Sequence, residues 1–203
     1  MRFFSNYIWR FSMEKKEIFL TFDDGPTPQI TPFVLQELKK HNAKATFFCI
    51  GKNIKNHPEL FKELIEQGHV IGNHTQNHVN GWTNNTKGYI DNCLKCDATI
   101  QQFSKNPTTQ KLFRPPYGKI KTKQAKQLIK KGYKIIMWSV LSADFDSNIT
   151  KETCLKNVLK NTKNGSIIVF HDSIKASEKL RFVLPKVLDY FSKKGYVFKS
   201  INT

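Results

Sequence analysis

The segment EIFLTFDDGP, residues 17–26, combines an apolar strand with the residues that end it. Its first six residues include Ile, Leu and two Phe, a composition typical of a buried strand. Two carboxylates, Asp23 and Asp24, follow at once, and Gly25 and Pro26 favour a sharp turn. The segment therefore predicts a buried strand whose carboxyl end carries an acidic pair at a turn.

Strand-like segments recur along the chain and alternate with helical patterns. The clearest helical pattern covers residues 180–191, where apolar side chains recur at i, i+3, i+4, i+7, i+8 and i+11, and Pro185 within it suggests a late helix start or a kink. Further helices are predicted at 57–67 and 123–131. The alternation predicts an α/β fold with a buried parallel sheet, either doubly wound and open or a closed or nearly closed barrel. The strand-like runs are residues 17–22, 45–50, 69–74, 111–114, 134–140, 166–171 and 196–201.

Length and composition describe an ordinary globular chain. The 203 residues are 39% hydrophobic and 24% charged, which suits one domain with a substantial core. The formal net charge of +17 could attract anionic polymers, but most lysines are spread singly over predicted helix faces, as on a solvated surface. No basic block interleaved with aromatic residues resembles a nucleic-acid-binding module, so no specific nucleic acid partner is predicted. Cys93 and Cys96 lie on a predicted helix without a second cysteine pair, which favours a structural role.

Ionisable residues gather where the predicted strands end. In parallel α/β folds the carboxyl ends of the strands share one rim, and active sites are built there. We therefore expect these residues to form one shared site. Beyond the acidic pair at the first strand, they are His74 and His78 after the third strand, Arg114 and Tyr117 after the fourth, Asp144 after the fifth, and His171 and Asp172 after the sixth.

Two histidines and a carboxylate suit a zinc-like ion and leave coordination positions for water and substrate. His74 and His78 are four residues apart, so they share a face if the backbone there is helical. The residues between them lack the glutamate base of an H-E-x-x-H metalloprotease, which disfavours that class. The Asp23–Asp24 pair is the obvious alternative source of a base. One carboxylate can bind the metal while the other deprotonates water, provided that the chain turns sharply at Gly25.

Four of these segments together resemble the motifs of the polysaccharide deacetylase family, also called the NodB-homology domain or carbohydrate esterase family 4. Residues 21–26 (TFDDGP) resemble its first motif, and residues 74–78 (HTQNH) resemble its H-[ST]-x-x-H metal motif. Residues 114–117 (RPPY) and 168–172 (IVFHD) resemble the third and last motifs. The motifs follow the family's order, and the resemblance covers nearly the whole chain, about residues 17–202.

The resemblance implies a distorted (β/α)7 barrel of parallel strands, similar to a TIM barrel. It also implies a metal-dependent hydrolase that removes N-acetyl groups from N-acetylglucosamine-type amino sugars in a peptidoglycan- or chitin-like polysaccharide or oligosaccharide. The implied cofactor is a divalent metal ion, with Zn2+ as the first choice and Co2+, Ni2+ or Fe2+ as alternatives. The implied metal ligands are Asp24, His74 and His78.

The resemblance further implies the catalytic roles. Asp23 would be the general base and His171 the general acid. Arg114 would hold Asp23 ionised and oriented, and Asp144 would orient His171 and tune its charge. The backbone N–H of Tyr117 would donate a hydrogen bond to the oxyanion.

One motif departs from the family's pattern. Where the family commonly has D-x-x-D-W, residues 141–145 read LSADF, so that Leu141 and Phe145 replace an Asp and a Trp. The change leaves the substrate class open, with an O-acetyl esterase of the xylan type or a small-amide hydrolase of the same family as the alternative. A catalytically inactive carbohydrate-binding relative is the alternative from another class. The retention of both aspartates and all three site histidines argues against that alternative.

The sequence predicts an N-terminal extension at residues 1–16 and a catalytic domain at residues 17–203. The first eleven residues make a poor signal peptide, so a cytoplasmic location is expected by default, or the cell envelope if the substrate is a wall polymer. The expected partner is an acetylated amino-sugar polymer or oligomer. No apolar run approaches the ~20 residues that a transmembrane segment needs, and the sequence indicates no particular oligomeric state.

Overall fold

A curved sheet of parallel strands forms the centre of the protein. The computed structural model describes residues 7–104 and 110–202. Its strands are β1 Tyr7–Ile8, β2 Glu17–Asp23, β3 Ala45–Cys49, β4 Val70–Asn73, β5 Lys111–Phe113, β6 Tyr133–Ile136, β7 Val140–Leu141, β8 Ser166–His171 and β9 Val197–Phe198. Its helices are α1 Thr31–Lys40, α2 Gly51–Asn56, α3 Pro58–Glu66, α4 Thr86–Phe103, α5 Thr122–Lys130, α6 Lys151–Asn161 and α7 Ser177–Lys193.

The strand order matches a barrel that is not fully closed. The strands lie in the order β1-β6-β5-β4-β3-β2-β8-β7, with β9 paired to β2, and each pair is parallel. Helices connect most of the successive strands, as parallel pairing requires. The predicted α/β fold with a distorted barrel of parallel strands is confirmed, in the form of a curled sheet whose order ends at β1 and β7.

Alternate side chains of β2 lie in two different environments. Ile18, Leu20 and Phe22 face outward into the core between the sheet and its helices. Phe19 belongs to the apolar cluster inside the curled sheet. Because side chains alternate along a strand, Thr21 and Asp23 continue the inner face above Phe19. The strand thus delivers one carboxylate to the inside of the barrel at its carboxyl end.

The register of the sheet brings three strand ends to one level. Asp23 pairs with Phe48 of β3 and with His171 of β8. Cys49 of β3 pairs with Asn73, the residue before the first histidine of the metal motif. The acidic pair, that histidine and the terminal histidine of β8 therefore surround the same opening.

Two predicted elements differ from the structure. The run 134–140 is divided into β6 and β7, because the Met137 N–H donates to Ile8 while the Ser139 N–H donates to Ile167 of β8. The chain thus crosses from one end of the sheet to the other. The last helix begins at Ser177 and passes through Pro185 without ending, so the late start was wrong. The buried apolar stripe of this helix holds it against the sheet despite the missing N–H.

The N-terminal segment contributes to the sheet. Residues 7–8 form β1 beside β6, and Arg10 makes an isolated bridge to Ser166. Residues 1–6 and 203 lie outside the described residues, and the domain boundary at residue 16 stays a prediction. In residues 7–104 and 110–202, no helix has the length and hydrophobicity needed to cross a bilayer.

Candidate metal and catalytic site

A cavity of about 450 Å³ opens at the rim formed by the carboxyl ends of the strands. The structure brings together there most of the residues that the sequence singled out. Arg114 and Asp144 are fully buried and do not line it; they lie behind the cavity wall in contact with residues that do. The lining residues are Asp23, Asp24, His74, His78, Pro115, Tyr117, Gly118, Trp138, Leu141, Phe145, Val169, His171 and Lys175.

The two carboxylates reach one cavity because the chain turns at Asp24 itself. Asp24 has φ 82°, in the left-handed region, whereas Gly25 has no positive φ. Gly25 is required for another reason: a Cβ there would lie 2.0 Å from Oδ2 of Asp172. The Gly25 N–H donates to Asp172 Oδ1 at 3.0 Å, and the Thr31 hydroxyl donates to Asp172 Oδ2 at 2.5 Å. The buried Asp172 side chain therefore holds the turn that carries the acidic pair.

Asp24, His74 and His78 form a cluster that could hold a metal ion. Their ligand atoms all lie within 4.8 Å of one another. Asp24 Oδ1 is 3.2 Å from His78 Nε2 and 3.7 Å from His74 Nε2. Asp24 Oδ1 is also buried without a hydrogen-bond partner in the structure, and a buried polar atom without a partner is costly. A cation coordinated by the three atoms would satisfy it, so the donor set fits a divalent ion.

The other nitrogen of each imidazole is hydrogen-bonded in a way that suits metal binding. His74 Nδ1 lies 2.8 Å from the carbonyl oxygen of Arg114, to which it can only donate. His78 Nδ1 lies 3.1 Å from the hydroxyl of Tyr117. With the proton on Nδ1, each ring leaves the lone pair of Nε2 directed at Asp24. The Tyr117 hydroxyl contact was not predicted from the sequence.

Local charges and burial set the protonation states of this cluster. Burial lowers the pKa of His74 to about 4, against the opposing pull of the two carboxylates. Burial by itself raises the pKa of Asp24, but the contact with the His78 imidazole and the charges of His74, His171 and His78 lower it to about 2. A neutral imidazole and an ionised carboxylate are the forms that bind a metal ion.

The loop between the two histidines is not helical. Thr75 has φ 65° and His78 has φ 53°, so the condition under which the two histidines would share a helix face is not met. Asn73 shapes the loop, because its Oδ1 accepts from the Thr75 N–H at 2.8 Å and its Nδ2 donates to the Cys93 carbonyl at 2.8 Å. The available signal in the sequence was an asparagine directly before His74, at the end of a predicted strand, and the sequence interpretation missed its role.

Arg114 is a buried cation that crosses the inside of the barrel. One terminal nitrogen donates to Asp23 Oδ1 at 2.8 Å and to the Thr21 hydroxyl at 2.6 Å. Its other nitrogens donate to the carbonyls of Ile136 and Met137. With all three nitrogens bonded, the guanidinium is fixed in place and supplies the charge that balances Asp23.

His171 and Asp144 form a second charged pair across the cavity. The ring Nδ1 of His171 lies 2.8 Å from Asp144 Oδ1. The backbone N–H of His171 donates to Asp144 Oδ2, also at 2.8 Å. Burial alone lowers the pKa of His171, but the charge and hydrogen bond of Asp144, with smaller contributions from Asp23 and Asp24, raise it to about 9. His171 is therefore an imidazolium at neutral pH, with its second nitrogen free of Asp144. Phe145 packs edge-on against its ring, with ring centroids 4.9 Å apart.

Asp172 is the main buried group to which the sequence interpretation gave no role. Burial raises the pKa of its carboxyl to about 8, although the hydrogen bonds from Thr31 and Gly25 oppose that shift. The signal was present in the sequence, since Asp172 follows His171 directly at the end of a strand. Asn53 was also missed; its Nδ2 donates to the Asp24 carbonyl at 2.7 Å and braces the same turn.

Comparison with known proteins agrees with this geometry. The family model described as polysaccharide deacetylase matches residues 11–136. One peptidoglycan-N-acetylglucosamine deacetylase of Bacillus cereus is 34% identical over 96% of this chain and 90% of its own length. A second from Bacillus cereus is 38% identical over 82% of this chain, which spans 60% of that relative's length.

Among solved structures, a peptidoglycan N-acetylglucosamine deacetylase crystallised with a substituted N-hydroxybenzamide superposes with a TM-score of 0.90. It is 34% identical, and the match covers 97% of this chain and 91% of that one. The family model covers more than half of the residues, and the solved structure matches the fold over nearly its whole length. The chain belongs to the polysaccharide deacetylase family.

Proposed function

We propose that this protein is a metal-dependent hydrolase that removes the N-acetyl group from N-acetylglucosamine residues of a peptidoglycan-type polymer. The observation that carries the proposal is that metal-ligand atoms and acid–base side chains line the same cavity. Asp24, His74 and His78 present three metal-ligand atoms, while Asp23 and His171 lie beside them as a carboxylate and an imidazolium. The names of the similar proteins support the sugar and the polymer.

Zinc is the proposed metal ion. Two imidazole nitrogens and one carboxylate oxygen are a common zinc ligand set in hydrolases and leave positions for water and substrate. When bound, such an ion supplies an electrophile that polarises the acetyl carbonyl and makes a nearby water molecule more acidic.

Asp23 is the proposed general base. Its Oδ1 is held by Arg114, and the side chain lines the cavity beside Asp24, so its carboxylate is positioned to accept a proton from the attacking water. The backbone N–H of Tyr117 is the proposed donor to the oxyanion that forms on the acetyl group. Tyr117 has φ 60° within the turn at 116–118, which places this part of the chain at the mouth of the cavity. One such donor is typically worth ~3 kcal/mol of barrier.

His171 is the proposed general acid. It faces Asp23 and Asp24 across the cavity, and Asp144 keeps it protonated at neutral pH. An amine leaves poorly without a proton, whereas the leaving group of an activated ester departs without one. Hydrolysis of the amide should therefore depend on His171 far more than hydrolysis of an activated acetate ester does.

The decisive experiment is acetate release from an N-acetylglucosamine oligomer by metal-stripped protein, with and without added zinc. We expect zinc-dependent release that Asp23→Asn abolishes and that Asp91→Asn, an exposed carboxylate on α4, leaves unchanged. Acetylated xylan is assayed in parallel, because Leu141 lines the cavity where the family commonly has a carboxylate. Release from xylan alone would favour an O-acetyl esterase, and release from neither polymer would contradict the proposed polymer substrate.

A further inference from the structure

Exposed apolar side chains surround the mouth of the cavity. Most of the large hydrophobic residues that the described structure leaves exposed lie at strand ends, or on loops that follow them, at this rim. Trp82 is one of the most exposed, at 60%, yet it does not line the cavity. It therefore requires an explanation outside the reaction centre. The rim residues of this kind are Trp82, Tyr117, Leu141, Phe145 and Ile174.

The loop that carries Trp82 is fixed to the neighbouring loop. The Gly81 N–H donates to the Lys119 carbonyl at 3.2 Å, and the Gly81 carbonyl accepts from Gln124 Nε2 at 2.8 Å. A Cβ on Gly81 would lie 2.4 Å from the Lys119 oxygen, so only glycine permits this approach. The Trp82 N–H donates to Asn80 Oδ1 at 2.9 Å. The exposed indole thus stands on a rigid support, and ordering it on a ligand costs little further entropy.

Lys119 places a positive charge beside this indole. Its Nζ lies 5.2 Å from the centroid of the Trp82 ring. Within residues 7–104 and 110–202, no carboxylate forms an ion pair with Lys119. The sequence has no Asp or Glu in residues 67–90 or in residues 98–143, so neither loop can supply one. The ammonium is free to pair with an anion brought by a ligand.

The cavity wall leads along the chain to this place, because Gly118 lines the cavity and directly precedes Lys119. Tyr117, two residues before Lys119, is 60% exposed and lines the cavity. Its ring centroid is 4.6 Å from that of His78. A polymer with one sugar in the cavity can therefore continue over Tyr117 toward Trp82.

We propose that Trp82 and Lys119 form a subsite outside the cavity that binds a neighbouring sugar carrying a carboxylate. This inference rests on the proposed deacetylation of a glycan. The apolar face of a sugar ring packs against the exposed indole, and the carboxylate pairs with the ammonium of Lys119. The charge makes the subsite selective for an acidic polymer over a neutral chitin-type chain.

The test compares KM and kcat of the zinc-loaded full chain on three substrates: an N-acetylglucosamine monomer, a neutral N-acetylglucosamine pentamer, and a peptidoglycan tetrasaccharide with free carboxylates. Trp82→Ala should raise KM about fivefold on both oligomers, as expected for the loss of one aromatic contact, and leave the monomer unchanged. Lys119→Gln should raise KM on the acidic tetrasaccharide only, and high salt should remove the difference. Matched controls are Leu94→Ala and Lys126→Gln, which change exposed residues on α4 and α5.

Unchanged KM on both oligomers in Trp82→Ala would overturn the subsite. An equal effect of Lys119→Gln on the neutral and acidic oligomers would overturn its preference for a carboxylate. If the unmodified protein releases no acetate from any substrate, the proposed function fails separately. Binding of the tetrasaccharide, measured by calorimetry with the unmodified protein and Trp82→Ala, then decides the subsite on its own: weaker binding by the variant supports it, and equal binding rejects it.

Discussion

Replacing Asp144 by asparagine should move the alkaline limit of activity toward acid. Asp144 makes the largest contribution that favours the charged form of His171, and it does so through both its charge and its hydrogen bond. The difference between the ordinary pKa of 6.5 and about 9 corresponds to about 3 kcal/mol in favour of the imidazolium. An amide in place of the carboxylate removes that charge and leaves burial opposed only by the smaller contributions of Asp23 and Asp24, so the pKa of His171 should fall back toward its ordinary value.

The expected magnitude follows from the protonated fraction. At pH 8 a group of pKa about 9 is roughly 90% protonated, whereas a group of pKa 6.5 is roughly 3% protonated. A full return to the ordinary pKa would therefore lower kcat/KM ~30-fold at pH 8 and much less at pH 6. A cation on Asp24 lowers the pKa of His171 in both proteins, but it leaves the difference made by Asp144. The assay is a pH profile of kcat/KM from pH 5 to 10, beside Asp146→Asn, which changes a carboxylate of the same loop.

The same substitution makes a separate prediction for stability. Because the folded-state pKa of His171 is raised, its contribution is fully present below pH 6.5 and is lost as the pH rises through about 9. The unmodified protein should exceed Asp144→Asn in free energy of unfolding by more at pH 6 than at pH 10, as measured with urea on metal-free protein. In the pH profile of kcat/KM, an alkaline limit that is the same in the unmodified protein and in folded Asp144→Asn would refute the assignment of His171 as an acid kept protonated by Asp144.

Two further substitutions test the framework of the site. Arg114→Met leaves the Asp23 carboxylate buried without its ion pair, so urea unfolding should show a loss of about 3–5 kcal/mol; a loss below ~1 kcal/mol would contradict the pairing. Gly25→Ala forces a Cβ onto the Asp172 carboxylate and should weaken zinc binding at least ~10-fold, measured by chelator competition, because the turn presents a metal ligand. Gly88→Ala is the control, since its nearest neighbour would be 3.4 Å away, and equal zinc affinities in the two alanine variants would reject the role of the turn.

Much of the fold could be predicted because it depends on apolar periodicity. The segments 17–22, 45–50 and 166–171 form the central strands, since each is a short apolar run that can be buried on both faces. The run 134–140 could not be divided correctly from the sequence. Its break depends on which distant strands offer free carbonyls, and that is settled by the tertiary arrangement.

The residues that form the site could be predicted from the sequence, but the hydrogen bonds that orient them could not. Ionisable residues after strand ends are visible in the sequence, because parallel strands bring those ends together. The hydrogen bonds that orient them come from groups without a distinctive pattern. The Arg114 carbonyl orients His74, the Tyr117 hydroxyl contacts His78, and Asp172 holds the turn at Gly25. Each contact joins residues far apart in the chain, so no local spacing predicts it.

The backbone conformation of the rim loops explains why the sequence pattern does not predict how the site residues are oriented. Among the residues that the structure describes, seven non-glycine residues have positive φ, and five of these line the cavity or lie next to a site residue: Asp24, Thr75, His78, Tyr117 and Ala143. Each such residue costs of order 1–3 kcal/mol unless surrounding contacts compensate, and strain of this kind collects at functional sites. Three of the five line the cavity and the other two lie next to site residues. The regular strands supply the stability that permits these conformations, and the conformations turn side chains of the strand ends and rim loops toward one point. A sequence with the same strands and relaxed loops would keep the fold, but its carboxylates and imidazoles would no longer meet.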